Sequence, residues 1–185
     1  MRSPARPRPL TRLRGMAEHR TLWLLRHAQT EDSRPGHKDA DRRLTSRGED
    51  QARGVGEVLG SEGVRVDAVL CSSALRARQT LTLLGVPSTT SDVAERYYTA
   101  GTDTLIEAIR ELPDEVTTAL IVGHAPALPG VAYELADREI SEPAAWDAID
   151  GRYPAATLAR LDFDGTWADL DSAALTDVHT PTTSG

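Results

Sequence analysis

Apolar residues along this chain fall into short unbroken runs, separated by longer stretches with helical spacing. Thr21-Leu22-Trp23-Leu24-Leu25 lacks any polar alternation, the pattern of a strand covered on both faces. Asp67-Ala68-Val69-Leu70-Cys71 and Ala119-Leu120-Ile121-Val122 repeat it. Between the first two runs, Ser46-Arg47-Gly48-Glu49 has capping-box spacing and opens a helix with Ala52, Val55 and Leu59 on one stripe. Ser73 to Leu84 predicts a second helix, ended by Gly85 and Pro87. Thr102 is the expected cap of a third, in which Leu105, Ile106, Ile109 and Leu112 recur at 3.6-residue spacing before Pro113. Leu128 to Leu135 predicts a fourth, with Pro126 in its first turn. Finally, Thr157 to Phe163 and Thr166 to Leu170 flank Asp164-Gly165, a hairpin signal.

Such alternation predicts an α/β fold, a three-layer α/β/α sandwich with a mainly parallel central sheet. Residues 20–172 are expected to form one domain. Residues 1–19 read as a disordered basic extension: Met1 to Arg20 holds six arginines, Pro4, Pro7, Pro9 and one acid, Glu18, with no apolar period. A translation start at Met16 would remove most of it. Residues 173–185 have little to bury and are expected to be a flexible tail.

Composition narrows the function. The net charge of −7 argues against nucleic acid as a partner, because binding it requires a basic face. Any positive charge for an anionic ligand must therefore be concentrated in a pocket. The chain has no apolar run of 18 residues, so no membrane span is expected. A single cysteine, Cys71, fits a reducing, cytoplasmic location and reads as a small buried side chain. The oligomeric state has no signature.

In parallel sheets, ligands bind at the carboxyl ends of the strands. The three predicted strands end at Arg26-His27, at Ser72-Ser73 leading to Arg76, and at Gly123-His124. Two histidines and two arginines, distant in sequence, thus converge on one rim. A phosphoryl group needs an in-line nucleophile and fixed cations over its oxygens. Neutral imidazole supplies the first, and the arginine fork supplies the second. Arg76 also lies in the first turn of a helix, whose free N–H groups favour phosphate. A metal site is the competing use of paired histidines, and His37-Lys38-Asp39-Ala40-Asp41 is the one cluster resembling it, without a matching second half.

These residues carry a family resemblance. Leu24-Leu25-Arg26-His27-Ala28-Gln29-Thr30, Leu44-Thr45-Ser46-Arg47-Gly48-Glu49-Asp50-Gln51-Ala52, Ser72-Ser73-Ala74-Leu75-Arg76-Ala77-Arg78-Gln79-Thr80 and Val122-Gly123-His124-Ala125-Pro126 stand in one order across residues 21–126. In that order they resemble the histidine phosphatase superfamily, also called phosphoglycerate mutase-like. The short length is most similar to the small branch typified by the phosphohistidine phosphatase SixA. The resemblance implies a phosphatase in which His27 is transiently phosphorylated. It implies that Arg26, Arg76 and His124 bind the phosphoryl group, that Thr30 supports that site, and that no metal or organic cofactor takes part. Gln29 stands where mutase-like members often carry Glu, which argues against mutase activity. Many members place an acidic proton donor before the third helix. Here Ala94-Glu95-Arg96-Tyr97-Tyr98 makes Glu95 the candidate, with an ordinary surface carboxylate as the alternative.

The expected partner is a phosphorylated protein, bearing phosphohistidine, or a small-molecule substrate. Phosphohistidine hydrolysis is the leading expectation. A small-molecule phosphomonoesterase acting on a sugar, nucleotide or cofactor phosphate is the alternative, and a phospho-ligand binding module without turnover is the rival outside enzymes. Selectivity is expected in the loops 31–43 and 139–153.

Overall fold

In the computed structural model, which describes residues 18–150 and 152–181, strand β1 (His19–Arg26) lies near the middle of a six-stranded sheet. The other strands are β2 (Val66–Ser72), β3 (Ser88–Ala94), β4 (Thr118–Gly123), β5 (Leu158–Asp164) and β6 (Ala174–His179), in the order β3-β2-β4-β1-β5-β6. The pairs β2·β3, β2·β4 and β1·β4 are parallel, while β5 runs antiparallel to both β1 and β6. The sheet is therefore mainly parallel, as the unbroken apolar runs predict.

Period-two geometry turns each run into two cores. Leu22, Leu24, Ala68, Leu70, Ala119 and Ile121 face one side, where they pack with helices α3 (Thr102–Arg110), α4 (Ala127–Leu135) and α5 (Pro143–Ile149). Trp23, Leu25, Val69, Cys71, Leu120 and Val122 face the other, against α1 (Ser46–Ser61) and α2 (Leu75–Leu84). The result is the expected three-layer α/β/α sandwich. Burial pushes the Cys71 thiol up to about 12, so it stays protonated, consistent with a small packing side chain.

Several boundaries differ from expectation. The N-cap of α1 is Thr45, one residue early, and its hydroxyl accepts from the Gly48 N–H at 3.0 Å. Helix α3 begins at Thr102 with Gly101 as its N-cap, so Thr102 does not cap; its hydroxyl reaches the Ala127 carbonyl instead. No strand spans Thr166 to Leu170. Trp167 and Leu170 are buried in the core there, and the Trp167 indole N–H donates to the Val116 carbonyl at 2.6 Å. The strand partnering β5 comes later, as β6, within the stretch from residue 173 that reads as a tail. Its Leu175 is fully buried. The expected extension over 1–19 lies outside the described residues except for Glu18 and His19, and His19 already begins β1; the Met16 start lies outside them too.

Candidate active site

His27 follows the last residue of β1, and His124 follows the last residue of the neighbouring β4. Parallel register pairs Arg26 with Gly123, and the His27 N–H donates to the Gly123 carbonyl at 3.0 Å. The two imidazoles are thereby brought together, with ring centroids 5.1 Å apart. Arg76 enters from the first turn of α2, after β2 on the far side of β4, and is almost wholly buried. Arg26, Arg76, His27 and His124, distant in sequence, thus meet at one rim of the sheet.

The Nδ1 of His27 lies 2.8 Å from the carbonyl oxygen of Ala28. A carbonyl only accepts, so Nδ1 carries the proton and Nε2 keeps its lone pair. Burial lowers the His27 pKa to about 3, opposed by that hydrogen bond and reinforced by His124, Arg76 and Arg26. The ring is therefore a neutral base across the physiological range. Burial, together with Arg76 and Arg26, likewise lowers His124 to about 4. Its Nε2 lies 2.7 Å from the Ser72 hydroxyl, while its Nδ1 is buried without a partner among the described residues.

Both arginines are held by backbone carbonyls. Arg26 donates to the Tyr153 carbonyl at 2.7 Å, and the Tyr153 hydroxyl donates back to the Leu24 carbonyl. Arg76 donates to the Asp39 carbonyl at 2.7 Å and pairs with the Asp39 carboxylate at 2.8 Å. Asp39 sits on a short 3-10 turn in the loop after β1 and also binds Arg42 and the Tyr98 hydroxyl. The Arg42 contact, with Tyr98 and Arg76, holds its carboxyl down at about 2. Tyr98 in turn sets its ring edge against His124, with centroids 5.6 Å apart.

The remaining motif residues fasten the segment carrying His27. The Ala28 N–H donates to the Thr80 hydroxyl at 3.0 Å, and Gln79 accepts from the Leu44 N–H at 2.9 Å. Gln51 accepts from the Gln29 N–H, and Thr45 donates to the Gln29 side chain. A side chain at Gly48 would collide with the Gln29 carbonyl, so that glycine allows α1 to approach the segment.

Two expected site residues stand apart. The Thr30 hydroxyl bonds Arg42, joining it to the Asp39 loop rather than directly to the four central side chains. Glu95 is exposed on the 3-10 turn after β3, and its carboxyl makes no hydrogen bond or ion pair among the described residues. From the same segment Tyr98 reaches the site instead. The sequence assigns no part in phosphate binding to Asp39, Tyr98 or Ser72: Asp39 stood only in the cluster weighed for a metal, and Tyr98 and Ser72 only inside stretches quoted for Glu95 and Arg76. Asp39 and Tyr98 lie in segments whose meeting depends on the whole fold.

The model of the histidine phosphatase superfamily (branch 1) matches residues 22–130. The Mycobacterium leprae protein ML1117 is 39% identical over 162 residues, covering 85% of this chain and 99% of that one. Among solved structures, a candidate SixA phosphohistidine phosphatase from Nakamurella multipartitia is 35% identical, with a TM-score of 0.79 over 90% of this chain and 99% of its own. A second such candidate, from Agrobacterium tumefaciens, is 26% identical with a TM-score of 0.72, covering 88% and 98%.

Proposed function

The chain belongs to the histidine phosphatase superfamily, and on that basis we propose that it dephosphorylates phosphohistidine, through a transient phosphate on its own His27. The observation that carries this reading is the state of His27: neutral, with Nδ1–H tied to the Ala28 carbonyl, beside Arg26, Arg76 and His124.

In the first step the Nε2 lone pair of His27 attacks phosphorus while the bond from phosphorus to the substrate nitrogen breaks. That nitrogen keeps the bonding pair, and a substrate ring protonated on its other nitrogen leaves as neutral imidazole. No proton need be delivered to the reacting atom, which suits a site whose only nominated donor, Glu95, is exposed. Arg26 and Arg76 offset the charge on the phosphoryl oxygens, and their guanidinium forks fit them two at a time. The Ala28 carbonyl keeps its hydrogen bond to the cationic ring of phospho-His27. In the second step water attacks phosphorus, the pair returns to Nε2, and orthophosphate departs.

Thr30 supports the site through Arg42 and the Asp39 loop. Glu95 would serve as proton donor only for an ester substrate, so the alternative of a small-molecule phosphomonoesterase hangs on it. Among the described residues no helix is long and apolar enough to cross a membrane; a cytoplasmic phosphoprotein substrate is consistent with that. The test is a phosphatase screen of phosphohistidine peptide, sugar phosphates and nucleotides, run beside His27→Ala. The reading expects phosphohistidine to be preferred and His27→Ala to be inactive. Preference for a sugar phosphate or nucleotide would favour the phosphomonoesterase.

A further inference from the structure

Ser72 ends β2 and is fully buried. Its hydroxyl oxygen accepts from the Ala74 N–H at 3.2 Å and lies 2.7 Å from Nε2 of His124. A serine hydroxyl has one proton to give. Among the described residues the only partner of this oxygen other than the Ala74 N–H is Nε2 of His124. A buried hydroxyl whose proton has no acceptor is costly, so the proton belongs on the Ser72–His124 line. Nε2 then accepts, and the single proton of the neutral imidazole sits on Nδ1.

Nδ1 is the His124 atom that is buried without a partner among the described residues. A buried N–H with no acceptor, in a ring 5.1 Å from His27 and close enough to Arg26 and Arg76 to feel their charge, calls for an anionic acceptor. We infer that Ser72 is a positioning residue that fixes the proton of His124 on Nδ1, making that nitrogen the hydrogen-bond donor to a bound phosphoryl oxygen. Only the last clause rests on the proposed function; the tautomer is a property of the free protein.

The experiment is long-range proton–nitrogen correlation NMR of the histidine rings at pH 7, with His124 identified by its loss in His124→Asn. It is run on the wild type, Ser72→Ala and Ser72→Thr, each titrated with orthophosphate. The wild type is expected to show a protonated Nδ1 and an unprotonated Nε2 on His124. Ser72→Ala is expected to move the proton toward Nε2 and to weaken orthophosphate binding roughly tenfold, the scale of one charge-assisted hydrogen bond. Ser72→Thr, which keeps the hydroxyl, should restore both. A purely structural role for Ser72 would lower the melting temperature without moving the proton.

A wild-type His124 protonated on Nε2 would overturn the inference, as would a Ser72→Ala protein that keeps Nδ1 protonated. Unchanged orthophosphate affinity despite a shifted tautomer would overturn the donor role. A wild type that binds orthophosphate but hydrolyses none of the substrates counts against the phosphatase reading alone.

Discussion

The Asp39 carboxylate lies 2.8 Å from the Nη2 of Arg76, so the buried guanidinium at the heart of the site already holds an anion from the protein itself. An incoming phosphoryl group must share that arginine or displace the carboxylate. The Asp39 side chain is about half exposed, so the pair is partly screened and worth about 1 kcal/mol at most. Asp39→Asn is expected to tighten competitive inhibition by orthophosphate roughly threefold to fivefold. Weaker inhibition in that variant would mean that Asp39 holds Arg76 in place and does not compete for it.

The segment carrying His27 is fastened by groups outside the central four. Thr80→Val keeps the shape of the side chain but strands the buried Ala28 N–H. Leaving such a donor unpaired costs about 1–3 kcal/mol. The variant is expected to lose that much stability in urea unfolding and to lose turnover as His27 is displaced. Stability equal to the wild type would show that the bond from Ala28 to Thr80 contributes nothing net.

Acid should weaken the fold through the site histidines. Folded His27 and His124 titrate near 3 and 4, against about 6.5 in an unfolded chain. Below pH 6.5 the unfolded chain therefore binds protons that the folded one refuses. The stability these neutral rings contribute is complete above 6.5 and is lost as pH falls toward about 4 for His124 and about 3 for His27. His27 alone contributes a slope of up to about 1.4 kcal/mol per pH unit in that window. Urea unfolding at pH 7 and pH 5 should show a fall in stability that is smaller in His27→Gln. An equal fall in both proteins would contradict a neutral, buried His27.

Glu95 separates the two substrate classes. With its carboxyl exposed and unpaired among the described residues, Glu95→Gln is expected to leave phosphohistidine hydrolysis within about twofold of the wild type, since a neutral imidazole leaves without a donor. A loss of about 100-fold or more on an alkyl phosphate would instead identify Glu95 as a general acid and favour an ester substrate.

Much of this site was legible in the sequence, and the reason is topological. Arg26, His27, Ser72, Arg76 and His124 all lie at or just beyond ends of parallel strands, and adjacent strand ends must share a rim. Unbroken apolar runs identified β1, β2 and β4 because all three are covered on both faces. Strand β6 was not legible: only its Leu175 is fully buried, and the Asp164-Gly165 turn signal pointed to the nearer Thr166 to Leu170. There Trp167 is drawn into the core, and the chain pairs only after it. Asp39 and Tyr98 were illegible for another reason. Each lies in a segment without period, and only the packing of the loop after β1 against the turn after β3 brings them onto Arg76 and His124.

Phosphate on His27 during turnover can be trapped by rapid acid-free quenching of the enzyme after brief exposure to a phosphorus-labelled phosphohistidine peptide, followed by peptide mapping. Base-stable, acid-labile label is expected on the peptide containing His27, absent in His27→Ala, which should also be inactive. Undiminished hydrolysis by His27→Ala, or label on any other residue, would contradict a transient phosphate on His27.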